Sequence, residues 1–270
     1  MQVKIFAPHW GSNELAPQVF IDKVLAAGFD GIEMSLPADG AQRDDWLRRI
    51  ADAKLDLIVA QWETVFHPQF DAHRAALATL LENACAARPR FVNSHTGKDY
   101  YSSAQNEELL ALADDIARMH GVPVVHEIHR SRFSGHPMLL LPYLEALPGL
   151  MLTADLSHWC VACESLLEDQ PETLAATLPR VRHIHARVGH AQGPQAIDFR
   201  APEYAAELAA HLGWWDRIID LRRTAGADVM TITPEFGPAP YTINLPYTRQ
   251  PITDAWEQNV AMLQLLRQRY

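Results

Sequence analysis

Eight short apolar runs, separated by amphipathic stretches of helical length, recur along the whole chain. They fall at 2–8, 31–36, 55–61, 91–95, 123–129, 151–156, 181–187 and 229–235. Runs this short, apolar on successive rather than alternate residues, read as strands buried on both faces. The stretches between them carry helical spacing. Pro17 opens the first, Phe20 and Val24 repeat at a spacing of four, as do Ile21 and Leu25, and Gly28 closes it. In the fourth, Leu109, Leu112, Ala113 and Ile116 form one stripe, with Gly121 where a C-terminal cap belongs. The last places Trp256, Val260 and Leu263 on one face. Eight strands alternating with eight helices predict an α/β fold, a parallel sheet closed into a single (β/α)8 TIM barrel over residues 1–270. An open doubly wound sheet is the alternative. It is disfavoured because the first strand is followed by HWGSNE and not by a glycine-rich dinucleotide turn.

A barrel of this kind takes about 250 residues and a large core. The chain has 270 residues, 48% of them hydrophobic, which suffices. No stretch approaches the roughly 18 apolar residues of a membrane span, and MQVKIFAPHW lacks the features of a signal peptide. Three cysteines, an odd number, argue against a disulfide scaffold. The net charge of −10 argues against a broad phosphate-gripping surface. The expectation is a soluble cytoplasmic protein with no nucleic-acid or membrane partner.

The catalytic face of such a barrel lies at the C-terminal ends of its strands. There the first strand delivers His9 and Trp10, the second Glu33, and the third Gln61, Trp62 and Glu63. The fourth delivers Asn93 and His95, the fifth Glu127 and His129, and the sixth Asp155 and His158. The seventh gives His183 or His185, then Arg187 and His190, and the eighth Glu235. Ionisable groups thus gather at one rim while the strand interiors stay apolar. Three carboxylates and a histidine from four successive strands point toward a common axis. Without a cation the carboxylates would repel and raise one another's pKa values. A divalent ion removes that penalty, and an oxygen-rich set with one imidazole suits Mn²⁺ or Mg²⁺, with Zn²⁺, Co²⁺ and Fe²⁺ as alternatives.

At these residues the chain resembles the xylose isomerase-like, endonuclease IV-like superfamily of TIM barrels, which includes sugar-phosphate isomerases and epimerases. The resemblance rests on "HEIHR", the Asp-x-x-His of "DLSH", the His-x-His of "HIHAR" and the final "PEFGP", in that order on strands five to eight. It implies that Glu127, Asp155, His185 and Glu235 hold the metal. Period-two alternation puts His183 on the same face as His185, one layer deeper, as an ordinary buried histidine. It implies that Glu127 and Glu235 exchange a proton with the carbon beside a carbonyl through a metal-bound enediolate, and that His158 joins them as a catalytic group. His9, Trp10, His95, His129 and Arg187 are the expected substrate contacts. The substrate is then a small-molecule carbohydrate, and similar barrels commonly form homo-oligomers. A dehydratase or lyase acting on a keto-sugar or keto-glycoside, and a non-catalytic sugar-binding barrel, are the alternatives.

Trp10, Trp62, Phe66 and Trp159 are expected near the rim as platforms for a sugar's C–H face. The proline-rich segment 236–251, with Tyr241, Tyr247 and Arg249, reads as a lid or subunit contact. No glycine-rich phosphate cradle follows strands seven or eight, which favours a sugar without phosphate. Cys160 and Cys163 lack the further ligands of a structural zinc site, and Lys4, Lys23, Lys54 and Lys98 leave no lysine inside the barrel for Schiff-base chemistry. The Asp-x-His expected of the DNA-repair endonucleases is broken here, since Asp198 is followed by Phe199 and Arg200.

Overall fold

The computed structural model describes residues 1–270. Its strands are β1 (Gln2–Pro8), β2 (Gly31–Met34), β3 (Asp56–Gln61), β4 (Val92–Ser94), β5 (Val124–Glu127), β6 (Leu152–Ala154), β7 (Val181–His185) and β8 (Val229–Thr233). They form one closed, all-parallel barrel in chain order, with β1 returning to pair β8. Each strand is hydrogen-bonded on both sides, so no edge is left to template aggregation.

The helices are α1 (Pro17–Ala27), α2 (Gly40–Asp52), α3 (Phe70–Ala86), α4 (Ser103–His120), α5 (Pro137–Ala146), α6 (Ser157–Cys163), α7 (Pro171–Thr177), α8 (Ala205–Thr224) and α9 (Ala255–Arg269). That is nine and not the eight expected, because the β6–β7 crossover contains both α6 and α7. Helix α1 ends at Gly28 and α4 at Gly121, both in the left-handed region, with φ of 87° and 67°. A side chain there would be strained, which explains both terminators. No helix is long and apolar enough to cross a membrane.

The largest core cluster joins the outer face of the strands to the helices, through residues such as Ile32, Leu152, Ile184, Ile232, Trp215 and Leu263. A separate cluster of Phe6, Ile58, Phe91 and Val125 plugs the lumen. The Phe91 ring meets the His183 ring at 5.2 Å. Strands β4 and β7 are not neighbours, so this contact crosses the barrel interior. One period-two step above Phe91 and Val125 stand Asn93 and Glu127, and above His183 stands His185. The lumen is therefore apolar below and ionisable above.

Candidate metal centre and substrate cavity

Strand pleat brings the four expected ligands together. Glu127 and His185 end β5 and β7, while Asp155 and Glu235 follow the ends of β6 and β8. One donor atom from each of the four lies within 4.8 Å of all the others. Asp155, Glu127 and His185 are buried, and Glu235 keeps a side-chain exposure of 18%. Glu235 has a φ of 60°, a conformation that costs a non-glycine residue roughly 1–3 kcal/mol and recurs where a backbone must aim a functional group.

The hydrogen bonding specifies what the cluster lacks. His185 Nε2 faces both oxygens of Glu33, at 3.1 and 3.2 Å. An ionised carboxylate only accepts, so Nε2 carries a proton; in the neutral ring Nδ1 keeps a lone pair, free to take a second proton or a metal ion. That Nδ1 lies 2.8 Å from Glu235 Oε2, 3.7 Å from Glu127 Oε2 and 4.0 Å from Asp155 Oδ2. Despite this proximity, neither His185 Nδ1 nor Glu235 Oε2 has a hydrogen-bond partner. Four acceptors thus converge without a donor between them. The cluster calls for a positive charge at His185 Nδ1, as a proton or as a metal ion, and the donor set fits a hard divalent cation. The titration directions agree. Burial lowers the His185 pKa, but Glu235, Glu33 and Glu127 outweigh it and raise it well above the usual value. Burial pushes Asp155 up to about 7, against the pull of Arg187.

Glu33 stands behind this group, at the middle of β2. It also accepts from His183 Nε2 at 3.1 Å, Thr233 Oγ1 at 2.5 Å and Asn93 Nδ2 at 3.0 Å. Burial works to raise its pKa, but His185 and His183 outweigh it and hold the carboxyl well below the usual range. This is the carboxylate–histidine pairing that fixes tautomer and ring orientation at metal sites. Glu33 and Asn93 have no role in the sequence reading beyond their place at the rim. The available clue was a carboxylate inside β2, all four residues of which are buried. His183 is buried one layer down, with Nδ1 2.8 Å from the Thr231 hydroxyl, which donates to it when Nε2 holds the proton.

Glu127 is held by Asn93 Nδ2 and His95 Nε2, both at 2.9 Å from Oε2. His95 Nδ1 receives Arg132 Nη2 at 3.2 Å, which places the His95 proton on Nε2, toward Glu127. Asp155 is fixed by Ser157 and the Arg187 guanidinium. His158, in the first turn of α6, is fully buried, with Nδ1 2.8 Å from Arg130 Nη1 and Nε2 2.9 Å from Arg187 Nη2. Burial, His129 and the two guanidiniums hold its pKa well below the usual value, so it is neutral. His129 lies between His95 and His158, with ring centroids at 4.6 and 3.8 Å.

A cavity of about 810 Å³ opens over the cluster, within the range of small-molecule sites. Glu33, Glu127, Glu235, Asn93 and Arg187 line its charged side, and Trp10, Trp46, Trp62 and Tyr241 its aromatic side. His9, His95, His129 and Arg132 also face it, whereas Asp155, His158 and His185 lie behind its wall. A second cavity, of about 500 Å³, lies among Leu55, Leu57, Arg88 and Arg90 at the opposite end of the barrel, away from these groups. Trp159 departs from expectation: it is fully buried, and its indole N–H donates to the Ser134 carbonyl at 2.8 Å. It is a core residue because α6 turns it inward. Phe66 is outside the cavity, packed on Trp62 at 5.4 Å. In 236–251 only Tyr241 reaches the cavity, meeting Trp10 at 4.9 Å, while Tyr247 is fully exposed. Asp198 is paired with Arg200 at 2.7 Å.

Neither a protein-family model nor a curated protein sequence matches the chain. Solved structures do. The probable 3-DHS dehydratase involved in petrobactin synthesis in Bacillus anthracis aligns with a TM-score of 0.62 and 14% identity, over 98% of this chain and 99% of that one. The 3-keto-D-glucoside 4-epimerase of E. coli aligns with a TM-score of 0.62 and 12% identity, over 99% and 100%. A xylose isomerase-like TIM barrel protein from Mycobacterium smegmatis, in complex with magnesium, aligns with a TM-score of 0.62 and 14% identity, over 97% and 96%. Identities this low speak for architecture: the fold of this chain is that of the xylose isomerase-like TIM barrels.

Proposed function

We propose that the chain, as one barrel domain, is a divalent-metal-dependent sugar isomerase or epimerase that moves a proton at the carbon beside a carbonyl. Glu127, Asp155, His185 and Glu235 would hold the ion, with Mn²⁺ or Mg²⁺ best suited to three carboxylates and one imidazole. The observation that carries this reading is the convergence of Glu127, Asp155, His185 and Glu235, whose donor atoms all lie within 4.8 Å of one another beneath an aromatic-lined cavity. The magnesium complex of the Mycobacterium smegmatis barrel supports the same choice of ion. When bound, the ion would act as a Lewis acid on a substrate carbonyl and acidify the neighbouring C–H.

The chain's own groups do the rest. Asn93 and His95 hold Glu127 as the ionised carboxylate, since burial, which raises its pKa, is outweighed by His95 and His185. It is therefore present as the carboxylate, the form that can take a proton. Glu235 reaches the same volume from β8, on the far side of the lumen from β4 and β5. A proton taken by one glutamate and returned by the other gives epimerisation, and a proton returned to the neighbouring carbon gives aldose–ketose exchange. Arg187 orients Asp155 and reaches 3.7 Å from Glu235, where it would stabilise developing oxyanion charge. His158, neutral and flanked by guanidiniums, serves as a positioning group. Trp10, Trp62 and Tyr241 offer faces to a sugar ring. Under this reading the substrate is a small-molecule carbohydrate.

Proton exchange in heavy water tests the proposal. With Mn²⁺ present, a panel of ketoses, keto-sugars and keto-glycosides should include one that takes up deuterium beside its carbonyl, and Glu127→Gln and Glu235→Gln should abolish uptake. The product separates an epimer from the alkene of a lyase. No uptake from any member of the panel, with or without metal, contradicts the mechanism.

A further inference from the structure

The loops after β4 and β5 carry three cations, Lys98, Arg130 and Arg132, and none of them forms an ion pair with an Asp or Glu. Two are nine-tenths buried or more: Arg132 is 4% exposed and Lys98 is 4% exposed. Arg132 lines the cavity. Its Nη1 reaches the adjacent Ser131 carbonyl at 2.9 Å and its Nη2 reaches His95 Nδ1 at 3.2 Å, both neutral acceptors, while its Nε–H has no partner. The Lys98 ammonium makes no hydrogen bond within the protein, although the Lys98 backbone is tied on both sides to Asn106, at 3.2 and 2.9 Å. Arg130 spends one N–H on His158 and lies 5.1 Å over the Tyr241 ring, which itself lines the cavity.

Arg187 provides the internal comparison. It is equally buried, and it is paired with Asp155. Burying a guanidinium without an ion-pair partner is costly; Glu127 and Asp99 offset part of that cost for Arg132 without touching it, and a bound anion would offset the rest. Arg132 could be explained as the group that sets the His95 tautomer, but that uses a single N–H and does not require the neighbouring Lys98, whose charge repels it.

We infer that the Arg132 wall of the cavity is an anion subsite, with Lys98 and Arg130, which do not line the cavity, adding their charge from outside it, so that the substrate is an acidic sugar rather than a neutral one. The inference rests on the cavity being a sugar site, as proposed above. A guanidinium fork matches a carboxylate or a phosphate. The absence of a glycine-rich phosphate cradle in the sequence favours the carboxylate, that is, a keto-aldonate or a uronate.

Calorimetric titration of the full chain tests this, with Mn²⁺ and again after chelator treatment. The probes are D-glucuronate, D-galacturonate and D-fructuronate, each against its neutral sugar, together with glucose 6-phosphate. At least one acid is expected to bind about 30-fold more tightly than its neutral partner, the size expected for a buried charge pair. Arg132→Met should remove that preference and Arg132→Lys should retain part of it. Lys98→Met, which spares the His95 contact, should lower it in the same direction. A preference for glucose 6-phosphate alone would keep the subsite and assign its anion as phosphate. The inference is overturned if neither a sugar acid nor glucose 6-phosphate binds more tightly than its neutral partner, or if Arg132→Met and Lys98→Met both leave the preference intact. The chelator-treated samples read the subsite without metal, so failure to bind Mn²⁺ would refute the metal reading alone.

Discussion

Glu33→Gln removes one charge and almost no volume, and it strikes the group on which two imidazoles rest. Glu33 accepts from His185 and His183 at 3.1 Å each, from Asn93 at 3.0 Å and from Thr233 at 2.5 Å. A glutamine offers one acceptor oxygen and turns an NH₂ toward the remaining donors. Either ring can escape the clash by moving its proton from Nε2 to Nδ1. At His185 that proton would land on the atom assigned to the metal. Loss of a carboxylate behind a metal-bound histidine typically weakens metal binding about 10–100-fold, or roughly 1.4–2.7 kcal/mol. The tautomer conflict places this variant near the upper end. Mn²⁺ titration followed by the electron paramagnetic resonance of the free ion measures it, with thermal unfolding to show that the variant folds. Unchanged Mn²⁺ affinity in a folded Glu33→Gln protein would refute the reasoning.

Three further outcomes follow from the geometry. Trp159→Ala should destabilise by about 3–5 kcal/mol, as expected for a buried aromatic, whereas Trp10→Ala should cost about 1 kcal/mol or less and weaken sugar binding; urea melts together with ligand titration separate the two, and equal stability losses would contradict the assignment. A Cβ at position 237 would stand 2.1 Å from the tip of the Trp10 ring, so Gly237→Ala should swing that exposed ring aside and reproduce the binding defect of Trp10→Ala with little change in stability. His126 and His211 are buried and neutral, and burial pulls each from 6.5 down to about 4. The unfolded chain binds those protons near pH 6.5, so stability is full above that pH and is lost as pH falls toward 4. The loss is about 2 kcal/mol per histidine between pH 7 and pH 5. Urea melts across that range should show it, His211→Gln should reduce the slope, and a flat profile would contradict the assignment.

The barrel was legible because its strands are buried on both faces and so read as unbroken apolar runs. Their ends were not. The run at 151–156 is a strand only over Leu152–Ala154, because the hydrogen-bonded ladder stops before the ionisable residues begin. Asp155 then precedes a short helix, α6, whose first turn sets His158 three residues on, near its carboxylate. A seven-residue helix is too short to register as a period, so the sequence shows no second helix in this crossover and Trp159 reads as a rim platform. Period two correctly put His183 and His185 on one face, because an in–out pattern survives whatever the neighbouring strands do. The support behind them was harder to see. Glu33 and Asn93 matter through contacts across the lumen, 150 residues apart in sequence for Glu33 with His183 and 60 for Asn93 with Glu33. Only closure of the barrel reveals such pairs. The same holds for Arg130 and Arg132, which look like ordinary loop cations until their lack of a carboxylate partner is seen.

The proposed proton transfer depends on a cation held by residues at the ends of strands β5 to β8. Anomalous diffraction from crystals grown with Mn²⁺ tests that most directly. The expected result is a single strong peak bonded to Glu127, Asp155, Glu235 and the Nδ1 of His185, absent from Asp155→Asn crystals. A map from Mn²⁺-saturated crystals with no peak there, or with the ion bound at Nε2 on the Glu33 side, would contradict it.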